Sequence, residues 1–405
     1  MSAHQSVRFL DRSTPPHIAT LILLAGLSAL AMNIFLPSLP GMTAYFRTDY
    51  RLIQLSVALY LAVNAGLQLL MGPISDRWGR RPIILWGLGL FLFATAGCIL
   101  APSVTVFLVF RMMQASVVVA MVLSRAIVRD MVPQDRAASM IGYVTMGMAV
   151  VPMVGPAIGG ILDEMFGWQA NFGALFILGA ALFWLCWRDL GETAPLTGRT
   201  LVQQFRDYPA LLTSRRFWGY ALAAGLSSGS FFAYLGGAPF VGDQVFGLPP
   251  ATLGVLFGAP AIGYFIGNFL SGRFSTRIGV NRMVFWGAIA NASGIALNLL
   301  LFSLGLGTPI SFFGLMTFMG LGNGMVIPNA TAGALSIRPD LAGTASGLSG
   351  ALMIGLGAAL SALAGLLLTP ASGAFPLLWI MLCSALAAIG TILLVIRREH
   401  SLGLG

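Results

Sequence analysis

The sequence predicts an all-α membrane protein of twelve transmembrane helices, arranged as two six-helix pseudo-symmetric bundles. Three observations carry that expectation. Of 405 residues, 57% are hydrophobic and only 9% are charged, where a soluble domain carries roughly a quarter of its residues as charges. The apolar residues fall into twelve runs of about the 20 residues that cross a hydrocarbon core. The chain also repeats itself: Gly72, Ser75, Arg77 and Gly79 recur as Gly272, Ser275, Arg277 and Gly279, and Gly147 and Gly155 recur as Gly347 and Gly355, all at an offset of 200 residues.

Taken in order, the first apolar run is too long for a signal-peptide core and lacks an Ala-x-Ala cleavage site, so residues 18–42 are expected to stay as the first span. Further spans are expected at 54–72, 82–101, 104–124, 137–161 and 168–187, and a second set at 217–240, 251–272, 283–304, 310–336, 341–368 and 375–396. The longest polar stretch, 188–216, separates residues 1–187 from 217–405 as two domains. It places Leu201, Phe205, Tyr208 and Leu212 on one helical face, with Arg199, Arg206, Asp207 and Arg215 left to water or headgroups. That pattern predicts an amphipathic helix lying on the membrane surface.

All 22 basic residues are arginine, and the net charge is +9. In a soluble chain this balance would point to nucleic acid, but here the charges alternate with the spans: nineteen arginines fall on one side, only Arg47 and Arg51 on the other, and Arg111 lies within a span. Cytoplasmic loops are enriched in positive charge, so both termini are expected in the cytoplasm of a bacterium and the chain in its inner membrane. Cys98, Cys186 and Cys383 sit in apolar stretches without CxxC or histidine neighbours, so neither a metal nor another cofactor is expected. There is no HExxH, no pair of mid-span carboxylates and no GxxxxGK[ST] loop, which argues against an enzyme and against direct drive by ATP.

Four motifs carry the functional reading. Gly72-Pro-Ile-Ser-Asp76-Arg77-Trp-Gly79-Arg80-Arg81 occupies the loop between the second and third spans. Its glycines permit a tight turn, and Asp76 can accept bonds from arginines or from a helix amino terminus. Arg111 and Gln114 lie one turn apart in the fourth span, where an arginine costs roughly 2.5–3.5 kcal/mol to insert and therefore needs a partner or a function. The fifth span carries Pro152, Gly155, Pro156, Gly159 and Gly160, small residues that let helices approach closely and prolines that bend them. The first span ends Met32-Asn33-Ile34-Phe35-Leu36-Pro37-Ser38-Leu39-Pro40 and the fourth ends Ser124-Arg125-Ala126-Ile127-Val128-Arg129-Asp130.

The 72–81 segment resembles the signature loop of the major facilitator superfamily. Arg111-Met-Met-Gln114-Ala115 resembles the Arg-x-x-Gln-Gly pattern of its drug and proton antiporters, with Ala115 in place of glycine, and the fifth-span pattern is similar to the antiporter signature. The ends of the first and fourth spans resemble the bicyclomycin and chloramphenicol resistance branch. The resemblance covers the amino-terminal half directly and the other half through the repeat. It implies the major facilitator fold, a monomer, and efflux of small phenicol-like or other amphiphilic molecules by alternating access. It also implies that Asp76 latches one face by docking near Thr344–Gly347, with a weaker latch at Thr276 in the second copy.

The chain departs from that branch at Asn33, where relatives usually carry Asp. None of its thirteen acids falls inside an expected span, and His4, His17 and His400 are terminal. A proton carrier at mid-membrane needs a group whose charge can change. Coupling is therefore either carried by acids near the faces, such as Asp49, Asp130 or Asp243, or absent, as in a facilitator or metabolite permease of the same fold. The pocket is expected among Asn33, Phe35, Tyr60, Asn64, Gln68, Arg111, Gln114, Tyr143, Met146, Phe231, Tyr234, Phe257, Tyr264, Asn268 and Asn323, aromatic and amide groups suited to varied apolar shapes with a few polar atoms. An arginine facing no acid would make it favour neutral or anionic solutes over cations.

Overall fold

The computed structural model describes residues 8–131, 151, 154–193, 209, 211–338 and 342–403, with the side chains at 72, 73, 76, 129 and 342–344 left aside. Every regular element among these residues is helical, and ten helices are long and apolar enough to cross a membrane. Large apolar side chains lie on the outer surface, Trp86 and Ile310 being 78% and 77% exposed. Such a surface calls for lipid.

The first crossing, Ile18–Tyr45, is broken by its prolines into α1 (Ile18–Asn33), a single tight turn at Leu36–Ser38 and α2 (Leu39–Tyr45). Then come α3 (Tyr50–Trp78), α4 (Arg80–Ile99), α5 (Val104–Gln114) and α6 (Val118–Met131). Ser103 starts α5 by accepting a bond from the Val106 N–H. The described end of the expected fifth span is helical and continues past its expected limit, over 154–166 (α7), and α8 is Gln169–Asp189. The remaining helices are α9 (Arg215–Phe240), α10 (Pro250–Leu256), α11 (Ala259–Ile278), α12 (Val280–Ser303), α13 (Pro309–Ser336), α14 (Ala342–Leu367) and α15 (Phe375–Ser401). Helix α9 coincides with the expected seventh span, but its Gly- and Ser-rich sequence leaves it outside the ten apolar helices. Most of the amphipathic surface helix expected in the 188–216 linker lies outside the described residues. At its end Leu211 is buried and Leu212 exposed.

Helices before residue 190 pack mostly on one another, as α4 on α5 and α8, and α1 on α6 and α8. Helices after 215 do the same: α13 lies against α11 and α12, and α9 against α14 and α15. Along the α11–α13 seam the backbones touch: a side chain at Gly263 would start 1.8 Å from the Thr317 carbonyl oxygen. The main seam between the two sets is α3 against α14.

The repeat is visible in the backbone. Gly79 and Gly279 adopt φ 90° and 91°, a region closed to residues with a side chain, and each N–H bonds at 2.9 Å to the carbonyl of Ser75 or Ser275. Both glycines turn the chain from one long helix into the next.

Candidate functional site

Arg111 of α5 has no exposed surface. Its guanidinium lies between two rings, 4.3 Å from the Phe35 centroid and 4.0 Å from that of Tyr60. It donates to the carbonyls of Ala31 at 2.9 Å and Ser56 at 3.4 Å and to Gln114 Oε1, and Gln114 Nε2 in turn donates to Thr95 Oγ1 at 2.8 Å. One side chain thus ties α1, α3 and α5 together. The expectation of an arginine lining a chamber meets a different geometry, because in this conformation the charge is spent on backbone carbonyls and aromatic faces within the amino-terminal set of helices. Ser56 and Thr95 complete the cluster. Sequence reasoning misses them because a hydroxyl in an apolar span gives no signal of its own.

Asn33 is buried, donates to the Ala29 carbonyl at 2.7 Å, and has no donor for its Oδ1 among the described residues. The Tyr60 hydroxyl is likewise buried without a partner among them. Asn64 accepts from Gln68 at 3.0 Å on α3, and a side chain at Gly350 of α14 would meet Gln68 Oε1 at 3.0 Å. Across the seam, Tyr234 stacks on Phe257 with centroids 4.7 Å apart. Asn323 accepts from Ser227 at 2.7 Å, and Asn291 donates to Ser230 at 3.1 Å. Asn268 donates to the Tyr264 carbonyl at 2.7 Å. Of the expected binding residues, Gln68, Phe231, Tyr264 and Asn268 keep partial exposure; the other described ones are buried. Tyr143, Met146 and Pro152 lie outside the described residues. A cavity of about 350 Å³ opens between α7, α10, α11 and α13, lined by Ala157, Val255, Ile262 and Phe313 among others, and the expected binding residues are not part of its lining.

At the arginine-rich end, the 72–81 segment, expected as a loop, is helical on either side of Gly79 because α3 runs on to Trp78 and α4 begins at Arg80, and it is held within its own set of helices. Arg80 pairs with Asp130 at 3.0 Å and bonds Ser75; Glu192 accepts from the Arg80 and Arg81 N–H groups at 2.8 and 3.3 Å. The Arg81 side chain donates to the Leu190 and Trp187 carbonyls, and Arg77 is exposed. The side chain of Asp76, and so the expected latch, lies outside the described residues. Two carboxylates beyond the expected spans sit buried in helices that overrun their expected ends. Asp189 accepts from the Leu10 N–H at 2.7 Å, the His17 N–H at 3.0 Å and Thr20 Oγ1 at 2.7 Å. Glu399 accepts from Arg216, from Tyr220 at 3.0 Å and from Asn281 at 2.5 Å. Thr20 and Tyr220 are 200 residues apart, so each set fastens its last helix to its first in the same place.

At the opposite end the two sets are sewn together. Gln54 donates to Ser361 O and Oγ at 2.6 and 2.9 Å, the Tyr50 hydroxyl to the Gly236 carbonyl at 2.8 Å, and the Ala251 N–H to Glu164 Oε2 at 3.3 Å. Glycines make the approach possible: a Cβ at Gly160 would lie 2.1 Å from the Pro250 oxygen and one at Gly254 2.2 Å from that of Pro156, while within the amino-terminal set one at Gly159 would lie 1.7 Å from the Ile34 oxygen.

The family model of the Major Facilitator Superfamily matches residues 21–362 and 243–403. The chain belongs to this superfamily. It is 33% identical to the uncharacterized MFS-type transporter YdgK of Bacillus subtilis, over 85% of this chain and 87% of that one. It is 31% identical to multidrug resistance protein D of Escherichia coli over 94% and 96%, and 31% identical to the chloramphenicol resistance protein of Pseudomonas aeruginosa over 92% and 88%. These relatives agree with the resistance branch read from the first and fourth spans. Among solved structures, peptide transporter POT with sulfate superposes with a TM-score of 0.78 at 13% identity, covering 96% and 95%. A bacterial homolog of the human lysosomal transporter Spinster, inward-facing and occupied, gives 0.73 at 17%, covering 94% and 96%. The fold is therefore that of the superfamily, and the chain is a multi-pass membrane transporter.

Proposed function

We propose that this chain exports small amphiphilic molecules across a bacterial inner membrane by alternating access, as a monomer with both termini in the cytoplasm. In this reading residues 1–187 and 217–405 are two six-helix bundles joined by the 188–216 linker. The carrying observation is that side chains and glycine contacts lock the two helix sets together at the arginine-poor end, the periplasmic one in this reading. The multidrug and chloramphenicol resistance relatives supply the substrate class. The partly exposed Gln68, Phe231, Tyr264 and Asn268 are the first contacts for a solute entering from the cytoplasm. They are uncharged, which favours neutral solutes such as phenicols. Arg111 acts by holding α1, α3 and α5 in register.

The test is a drug-susceptibility panel in an efflux-deficient bacterium. The native chain is expected to protect against neutral phenicols, Arg111→Ala to abolish protection, and Gln68→Ala to change the ranking of drugs. Protection against monovalent organic cations alone would refute the substrate assignment. Proton coupling, in the absence of a carboxylate in any expected span, is expected to be weak. The measurement is lumenal pH in proteoliposomes on substrate addition.

A further inference from the structure

The cavity between α7, α10, α11 and α13 lies where the two helix sets meet, and its lining holds no polar side chain. Val255, Ile262 and Ile310 are exposed at its rim, and Phe313 is fully buried beneath them. Ile310 also belongs to the outer wall that calls for lipid, so the cavity is a groove opening sideways from that wall. Helices α10 and α13 both begin at the arginine-poor end, at Pro250 and Pro309, which sets the groove in that half of the bilayer. Gly314 shows the free space directly, since a Cβ built there meets no atom within 4 Å.

Volume and chemistry select the occupant. The groove's 350 Å³ lies at the small end of the roughly 300–1,000 Å³ range of ligand sites. An ordered water needs about two to four polar partners, and the nearby Thr317 hydroxyl is already spent on the Ala259 carbonyl at 3.3 Å. Left empty, the groove would deprive its walls of dispersion contacts. The solvent at this depth is hydrocarbon, and an acyl chain is flexible, apolar and present at the opening.

The walls come from both helix sets. Ala157 of α7 is the contribution of the amino-terminal set. It is flanked by Pro156, against Gly254, and by Gly160, against Pro250, among the closest approaches between the sets. Moving α7 away from α10 would take away one side of the groove. On the inner side Phe313 stands edge-on to Tyr234 with centroids 6.3 Å apart, and Tyr234 stacks on Phe257. An occupant therefore rests one ring away from two of the expected binding residues.

We infer that this groove is a binding site for the acyl chain of a phospholipid in the leaflet at the arginine-poor end, and that the bound chain favours the closed arrangement of the helix sets. A ligand that touches both sets in only one arrangement binds that arrangement better and shifts the equilibrium toward it. The effect on closure rests on the alternating-access reading; the site itself does not.

The experiment uses the full chain in phosphatidylcholine nanodiscs carrying a trace of the same lipid with a diazirine in its acyl tail. After photolysis, adducts are mapped on peptic peptides. Peptides covering 255–262 and 310–314 should carry more label than the one around Trp86, which faces lipid on the open wall. Gly314→Phe places its ring in open space and should remove most of that label while leaving the Trp86 peptide unchanged. Ile262→Trp serves the same purpose if Gly314→Phe does not accumulate. Closure is read in detergent from spin labels at Leu52→Cys and Val245→Cys in a Cys383→Ser background, both sites being exposed at the arginine-poor end. Added phosphatidylcholine should raise the short-distance fraction when the groove is native and leave Gly314→Phe unmoved. Equal labelling of the groove and Trp86 peptides would mean annular lipid only and overturn the site. Displacement of the label by a phenicol would also overturn it, by giving the groove to the drug. Distances that ignore added lipid when the groove is native would overturn the effect on closure. The expected labelling in a chain that protects cells against no drug would sink the export reading and leave the site standing.

Discussion

The two copies of the 72–81 turn share a backbone and differ in what secures it. Gly79 and Gly279 have the same torsion and the same bond to a serine carbonyl. Around the first, Glu192, Asp130 and the Leu190 and Trp187 carbonyls converge on Arg80 and Arg81. In the second, position 280 is valine, and Asn281 reaches Glu399 instead. A duplicated turn thus kept its geometry, which only glycine allows, while its charges were free to diverge.

Substitutions at paired positions sharpen this contrast. The largest effect is expected from Arg80→Met, which removes the bonds from Arg80 to Asp130 and Ser75: losing hydrogen bonds to charged groups costs about 1.5–3 kcal/mol, read as a lower thermal midpoint in detergent. Val280→Met, the matching change, should cost far less. Next comes Gly79→Ala. Both glycines store about 1–3 kcal/mol of conformational strain for any other residue, but a Cβ at 79 would also meet Glu192 Oε2 at 2.3 Å, whereas one at 279 has nothing within 4 Å. Gly79→Ala should therefore destabilise more than Gly279→Ala; equal losses would mean that Glu192 does not brace the first copy. The smallest difference is expected between Gly155→Ala, where Leu30 would sit at 3.1 Å, and Gly355→Ala, which meets no atom within 4 Å. A small loss of thermal midpoint for the former alone is the expected result.

Ten of the expected spans were legible because lipid imposes one requirement on a crossing, and a run of apolar residues meets it whatever its neighbours do. The turns at Gly79 and Gly279 were legible through the repeat. The overruns at Asp189 and Glu399 were not, because a helix continues past the hydrocarbon wherever tertiary partners receive its polar residues. Arg111 shows the limit most clearly. Its depth could be read from its position, yet its direction depends on Phe35, Tyr60 and two backbone carbonyls from other helices. Gln54 and Ser361, 307 residues apart, meet for reasons no local pattern carries.

The fastening of last helix to first, by Asp189 on Thr20 and by Glu399 on Tyr220, turns each set of helices into a closed hoop. A hoop resists internal shear, so a small disturbance at one rim is not absorbed along the way. It re-emerges at the far rim as tilt, and the lipid-facing wall is carried along without being rearranged.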